Sequence, residues 1–421
     1  MGINKLLLAQ GVDYSLDDIK TGRNNNVLVI GGSGTGKTRS IVTPNILAAE
    51  GSYIVSDPKG LLYRECGGYL QRQGYNVKTL NFAQPRLSDK WNPLAYLETP
   101  ADCLKLAHFF AYGGGLYTDV FWNEQSELLT SALLGYLLEK PEEMRTLSNY
   151  ARLVEGLQRA EYGSDSSATQ KMIEMLPPMH WARRQFELAA LASTRTWLSI
   201  AATMAAQARI FSLPEISEMT YADDMRLDEI GSRKTALFVI VSDTDRSMDW
   251  LAIIFFAQAM RTLVETADKQ GGRLEVPVRL ILDDFATNCK VPDFPGLISS
   301  IRSRGVSAMV MIQAEAQLAT LYGRDWRTVE GNCDTIVYLG GADIQTAQSV
   351  STRANRDLQD ILNMPARHCW IFRRGEEPRE ADLLELDAWI QQKGVELEPR
   401  GLGGSDWFRE AMNFSTDGGG T

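Results

Sequence analysis

The run Asn26-Val27-Leu28-Val29-Ile30-Gly31-Gly32-Ser33-Gly34-Thr35-Gly36-Lys37-Thr38 decides how this chain is to be read. Its first five residues form a largely apolar, β-branched run of strand length, and the segment after Thr38, with Ile41 and Ile46-Leu47, is compatible with a helix. Between them stands G-x-x-x-x-G-K-T. Glycines at this spacing let successive backbone N–H groups turn inward and hold the β- and γ-phosphates of a nucleotide at a helix N-terminus. Gly31, Gly32, Ser33, Gly34, Thr35 and Gly36 would form the cradle, Lys37 would neutralise phosphate charge, and the Thr38 hydroxyl would be a ligand of Mg2+. The competing reading is a glycine-rich turn that binds nothing, and the strand before it and the helix after it weigh against that.

A nucleoside triphosphatase also needs an acidic strand end to hold the metal and activate the attacking water. Val278-Arg279-Leu280-Ile281-Leu282 is an apolar strand that ends in Asp283-Asp284, at the carboxyl edge of a parallel sheet. Asp283 is read as the magnesium-side carboxylate and Asp284 as the general base; an exposed acidic turn is the plainer alternative. Two further strands end in polar residues. Ser52 to Ser56 leads into Asp57-Pro58-Lys59-Gly60, which places Asp57 and Lys59 beside the nucleotide, and Val306 to Ile312 leads into Gln313, whose amide would face the γ-phosphate or the water. Either could be an ordinary exit from a strand. Arg302 and Arg304, just before the Gln313 strand, read equally as a solvated basic helix end.

The rest of the chain bounds this reading. Its 421 residues suggest two to three domains, and 44% hydrophobic with 23% charged residues excludes disorder as the dominant state. A net charge of -10 lacks the footprint of a general DNA-coating protein, so any nucleic-acid contact must be local. Five scattered cysteines without a C-x-x-C pair, beside three histidines, point to reduced thiols rather than a zinc site. The apolar start Leu6-Leu7-Leu8 is too short for a signal peptide, and the apolar stretch Leu251 to Met260 is about half a bilayer span, so the chain is expected to be soluble. Residues 401–421 read as a loose tail with one short amphipathic turn at Trp407 to Met412.

Between about Pro100 and Asp228 the strand-like runs give way to helical spacing, as in Leu128, Leu129, Ala132, Leu133, Tyr136 and Leu137 on one helix face. Strand character resumes at Thr235 to Val241, followed by a helix over Trp250 to Lys269. The expected division is therefore an N-terminal segment 1–19, a discontinuous nucleotide-binding domain over 20–98 and 229–390, an inserted all-α domain over 99–228, and a tail over 391–421. Phe121, Trp122, Trp181 and Trp197 read as helix-packing residues before base-stacking ones, and Arg183-Arg184 as a solvated helix face.

Five motifs, Gly31 to Thr38, Ser56-Asp57-Pro58-Lys59-Gly60, Trp91-Asn92-Pro93-Leu94, Asp283-Asp284-Phe285, and Arg302-Ser303-Arg304-Gly305 with Gln313, occur in an order that resembles one family. It is that of the type IV secretion coupling proteins, the conjugation ATPases of the TraG and TraD kind, relatives of the FtsK and HerA motors. The likeness runs over roughly residues 20 to 390. It implies an α/β fold, a RecA-like P-loop NTPase domain with a mainly parallel sheet plus an inserted all-α domain. It also implies ATP and Mg2+ as cofactors, and a homo-hexameric ring with ATP at the subunit interfaces that forms from a chain able to stay monomeric in isolation. The expected partners are DNA, single-stranded and delivered with a relaxase, effector proteins, and the secretion channel. By motif position Arg302 would be an arginine finger reaching a neighbour's γ-phosphate and Gln313 the sensor. The expected place is the cytoplasmic face of the bacterial cell membrane. Two features depart from the family: Asp283-Asp284 replaces the usual Asp-Glu, and the usual N-terminal membrane anchor has no counterpart here. The first keeps open a nucleotide-gated adaptor that docks relaxases and hydrolyses little. A FtsK- or HerA-like translocase is the other alternative, disfavoured by Trp91 to Leu94 and the size of the helical insertion.

Overall fold

The computed structural model describes residues 4–113, 120–157, 167–242, 244–288 and 291–397. The expected loose tail and its turn at Trp407 to Met412 lie outside the described residues. The chain divides into two compact units, Met1–Thr79 with Leu227–Thr244 and Thr262–Thr421, and Leu80–Arg226 with Asp245–Arg261.

The first unit is built on a sheet. Its strands are β1 (Lys5–Ala9), β2 (Val12–Ser15), β3 (Val27–Ile30), β4 (Ser52–Pro58), β5 (Asn76–Asn81), β6 (Thr235–Val241), β7 (Val278–Leu282), β8 (Val306–Ile312), β9 (Thr335–Tyr338), β10 (His368–Arg373) and β11 (Arg379–Asp382). β1 and β2 pair with each other, and the remainder form one nine-stranded sheet in the order β11-β10-β9-β3-β8-β7-β4-β6-β5. From β9 across to β6 the neighbours run parallel, while β10 and β11 turn antiparallel at one edge. β3, β7 and β8 are buried at every position, as expected for parallel strands covered on both faces, which explains why they read as apolar runs broken only by Arg279 and Ser307. The period of two sorts their side chains: Val27 and Val29 join Ile281, Met309, Met311 and Val337 in a core cluster that also takes Leu6 and Leu8 of β1. Each such fully buried aliphatic side chain stabilises the unit by roughly 1.5–3 kcal/mol. A parallel arrangement also sends the loops after β3, β4, β7 and β8 to one edge of the sheet.

The second unit is helical, with Pro100–Gly113, Val120–Leu138, Leu147–Glu155, Ala168–Glu174, Trp181–Ala189, Thr194–Ala208 and Pro214–Met219 among its elements. Three of its helices start at side-chain caps: Thr146, Ser167 and Ser193 accept from the N–H groups of Asn149, Gln170 and Thr196. Phe110, Tyr150, Phe211 and Trp250 form an aromatic cluster with centroids 5.4–6.2 Å apart. Trp197 is fully buried, and its indole N–H donates to the Leu157 carbonyl at 3.3 Å. Gly135 lets two helices meet: a Cβ there would stand 2.6 Å from Cζ2 of Trp181 and 2.8 Å from Cβ of Ala182. Arg183 is tied down by Glu187 and by the carbonyls of Glu174 and Leu176. Trp91 of the Trp-Asn-Pro-Leu element packs edge-on against Phe255 and donates to Gln258 Oε1 at 3.0 Å. Among the described residues, Asp249–Lys269 is long and apolar enough to cross a membrane, and 61% of its apolar window is buried inside the protein.

Candidate active site

The loop from Gly31 to Thr38 leaves β3 at the carboxyl edge of the sheet. It is pinned at its base by the sheet's neighbours, with Gly31 N–H donating to Ile312 O at 3.1 Å and Gly32 N–H to Gly340 O at 2.9 Å. Gly34 and Gly36 have φ of +76° and +92°, a region closed to most side chains, so the inward turn of the loop depends on them. The helix that follows begins with a wide π turn over Thr38–Val42, in which the Thr43 N–H reaches back to Thr38 O. Pro44 accounts for the shift, since it has no N–H to offer the preceding turn.

Lys37 folds over this loop and donates to the carbonyl oxygens of Gly31 and Gly32, at 2.9 Å to the latter. Burial holds its pKa below the usual lysine value, against the pull of Asp283 and Asp284. Thr38 Oγ1 donates to Asp283 Oδ2 at 2.8 Å, joining the loop to the end of β7. Asp283 is buried, which pushes its carboxyl pKa up; the Thr38 hydrogen bond opposes this and the charge of Asp284 adds to it. Asp283 Oδ1 also accepts the Asp284 N–H at 3.1 Å, and Ser56 Oγ donates to the Asp283 carbonyl at 3.1 Å. Asp284 itself stands in left-handed backbone with φ of +48°.

Asp57 sits at the end of β4 with both oxygens engaged. Oδ1 accepts from the Leu62 N–H at 3.0 Å and Oδ2 from the Tyr63 N–H at 2.8 Å, so the carboxyl caps the helix Leu61–Arg72. Burial raises its pKa to about 7, with the two N–H donors pulling down and Asp283 pushing up. Its capping role had a signal in the sequence, an aspartate followed by Pro-Lys-Gly ahead of an apolar helix. Gln313, exposed, follows β8, and its N–H donates to Gln317 Oε1 at 2.7 Å. Ser33 to Arg39, Asp57 to Lys59, Leu61, Leu62, Asp283, Asp284 and Gln313 thus surround one cavity of about 400 Å³. The apolar wall of Leu61 and Leu62 is a part that the motifs did not mark, and Ser56, inside a motif, had been given no role.

Arg302 is not part of this cavity. It lies in the turn Arg302–Arg304 ahead of β8, at the amino edge of the sheet, and Nη2 donates to Asp18 O at 3.4 Å. The seven residues of β8 set the two edges roughly 23 Å apart at 3.3 Å per residue. Arg304 instead makes a two-pronged pair with Asp268 at 2.9 and 3.0 Å.

Residues 9–354 match the family model described as type IV secretory system conjugative DNA transfer. The chain belongs to that family. No curated protein matches it by sequence. Among solved structures it is similar to the bacterial conjugative coupling protein TrwB in a trigonal form with sulphate, at 15% identity and a TM-score of 0.69 over 91% of this chain and 89% of that one. TrwB in complex with ADP and Mg2+ is similar at 15% identity and a TM-score of 0.67 over 90% and 88% of the two chains. VirB4 of Thermoanaerobacter pseudethanolicus follows at 13% identity and a TM-score of 0.54 over 90% and 96%. At these identities the likeness is one of fold: an α/β, RecA-like P-loop architecture with a mainly parallel sheet and an added all-α unit.

Proposed function

We propose that the protein is the ATPase of a conjugative coupling system, binding Mg-ATP in the loop from Gly31 to Thr38 and using hydrolysis to pass DNA with its relaxase, or protein effectors, to a secretion channel. The observation that carries this is the 2.8 Å hydrogen bond from Thr38 to Asp283 beneath a G-x-x-x-x-G-K-T loop, in a chain of the conjugative DNA transfer family. Hydroxyl and carboxylate are hard oxygen donors of the kind Mg2+ takes, two from protein with the remainder from phosphate and water. Bound there, the ion would neutralise charge on the transferred phosphoryl group. Lys37 would move from the Gly31 and Gly32 carbonyls to the phosphates, Asp284 would accept the proton of the attacking water, and Gln313 would orient that water. Asp57 lines the same cavity and holds its wall by capping the Leu61–Arg72 helix. TrwB has been seen with ADP and Mg2+ and with analogues of ATP and GTP, which supports the same ligands here.

Arg302 would act in a neighbouring subunit, because a strand's length separates it from its own loop. That supports a ring, which we read as a homo-hexamer working at the cytoplasmic face of the membrane. We assign the nucleotide-binding domain to 20–98 with 229–390 and substrate docking to the helical domain around 99–228. One observation favours a second reading: Asp284 stands one methylene short of the usual glutamate, which fits a nucleotide-gated docking protein that turns over slowly. Phosphate release with Mg-ATP, with and without single-stranded DNA, separates them. DNA-stimulated turnover that vanishes in Lys37→Ala supports the motor. A wild type that binds ATP and stays silent while Asp284→Glu turns over supports the docking protein, and an absence of ATP binding refutes both.

A further inference from the structure

β7 contains one polar side chain, and it points to a second site. Arg279 is in register with Tyr53 of β4 and Ser307 of β8, so the three share a face of the sheet, and Arg279 is 7% exposed. A guanidinium buried to this degree is ordinarily held by a carboxylate. Here its hydrogen bond, among the described residues, runs from Nε to Ser307 Oγ at 3.4 Å, close to the limit for such a contact. Burial lowers its pKa, opposed by Tyr53 and Glu50. Arg279 lines a cavity of about 230 Å³ at the amino edge of the sheet, together with Arg273, Arg302, Asp18, Glu50 and Ser307.

Asp18 is engaged by another arginine, and Glu50 by a backbone N–H through one oxygen. Asp18 takes two bonds from Arg273, at 3.1 and 2.6 Å, and Glu50 Oε1 accepts the Asn4 N–H at 2.5 Å. Arg302, exposed, spends one N–H on the Asp18 carbonyl at 3.4 Å. Two arginines, one buried and one exposed, therefore line the same space. We propose that this cavity is a second anion site, separate from the phosphate loop, that takes an oxyanion between Arg279 and Arg302. The planar forks suit phosphate and carboxylate alike, so the occupant is a phosphoryl group or a carboxylate from a partner segment. Binding there adds a hydrogen-bonded counter-charge to Arg279, orders Arg302 at the sheet edge, and needs neither ATP nor a ring. The site thus goes beyond the proposed ATPase.

The test uses the full chain carrying Lys37→Ala, which disables the phosphate loop, titrated by calorimetry with inorganic phosphate and separately with acetate at constant ionic strength. Saturable one-site binding that survives Lys37→Ala and weakens about tenfold or more in both Arg279→Gln and Arg302→Gln is the expected result. Arg302 is exposed, so its variant reports on the site even if Arg279→Gln does not fold. Acetate that competes with phosphate shows that the site also takes a carboxylate, and acetate that does not assigns a phosphoryl group. Binding abolished by Lys37→Ala, binding indifferent to both arginines, or no saturable binding overturns the proposal. No ATP enters the experiment, so its failure leaves the phosphate-release test of the ATPase untouched.

Discussion

Replacing Asp284 by glycine and by alanine separates its backbone from its chemistry, since both variants lose the carboxylate. At an ordinary position alanine is the more stable of the two by about 0.5–1 kcal/mol, because glycine gives up more freedom on folding. Asp284 has φ of +48°, where a Cβ crowds the following carbonyl at a cost of about 1–2 kcal/mol. Subtracting the first figure from the second inverts the usual order, leaving Asp284→Gly more stable than Asp284→Ala by about 1 kcal/mol. Aspartate and asparagine tolerate this region better than other residues through local hydrogen bonds, so Asp284→Asn should match the wild type and Asp284→Glu should lose stability. The same strain gives a physical reason for Asp-Asp in place of Asp-Glu: the shorter side chain fits the conformation that the end of β7 imposes. Because the chain has two compact units, the assay is amide exchange of β7, which reports opening of the sheet directly. An alanine variant as stable as the glycine variant would refute the reasoning.

Asp57 makes stability depend on pH. Its carboxyl releases its proton near 3.8 in the unfolded chain and near 7 in the folded one, so over that window the folded state binds more protons and stability falls as pH rises, by up to about 1.4 kcal/mol per unit from this group. Asp57→Asn should flatten that slope in urea unfolding between about pH 4 and about pH 7, and a wild type that gains stability over this window relative to the variant contradicts the assignment. In the helical unit, Gly135→Ala should destabilise: overpacking against Trp181 costs about 1–3 kcal/mol, more than the gain of about 1 kcal/mol from helix propensity. A higher unfolding midpoint for this variant would show that the two helices part without cost.

The family and the core of the fold were legible because they rest on local pattern. Val27–Ile30, Thr235–Val241, Val278–Leu282 and Val306–Ile312 are covered on both faces, so each reads as a predominantly apolar run, and the loop at Gly31 follows its strand without a gap. β9 and β11 escaped notice, the first because its four residues have no motif beside them as Val27–Ile30 has, and the second because an edge strand reading Arg-Glu-Ala-Asp carries no apolar face. Trp91 shows why unit boundaries resist pattern: its partners Phe255 and Gln258 lie far along the chain, and no periodicity links them. Arg279 was hidden for a related reason. Within Val-Arg-Leu-Ile-Leu it is one polar letter in an apolar strand, and its significance appears only when register sets it beside Ser307, on a cavity that Arg302 also lines.

The sheet's dimensions make a last prediction. A single chain cannot bring Arg302 to its own phosphate loop, because β8 holds the two at opposite edges about 23 Å apart. If Arg302 stabilises charge during hydrolysis, it does so across an interface in which one surface of a subunit meets a different surface of the next, the head-to-tail kind that closes into a ring. Lys37→Ala and Arg302→Ala then damage different halves of that interface. Each variant alone should be inactive in phosphate release, yet an equal mixture places an intact Lys37 opposite an intact Arg302 at about a quarter of interfaces if subunits assort randomly. The mixture should therefore recover about a quarter of wild-type turnover where interfaces act independently, and less where turnover needs the whole ring. Nucleotide binding measured on the same samples supplies the control, since Arg302→Ala leaves the loop intact and should bind ATP as the wild type does. A mixture as silent as its parents in the presence of assembled rings would remove Arg302 from the reaction and leave its guanidinium to the cavity at the amino edge.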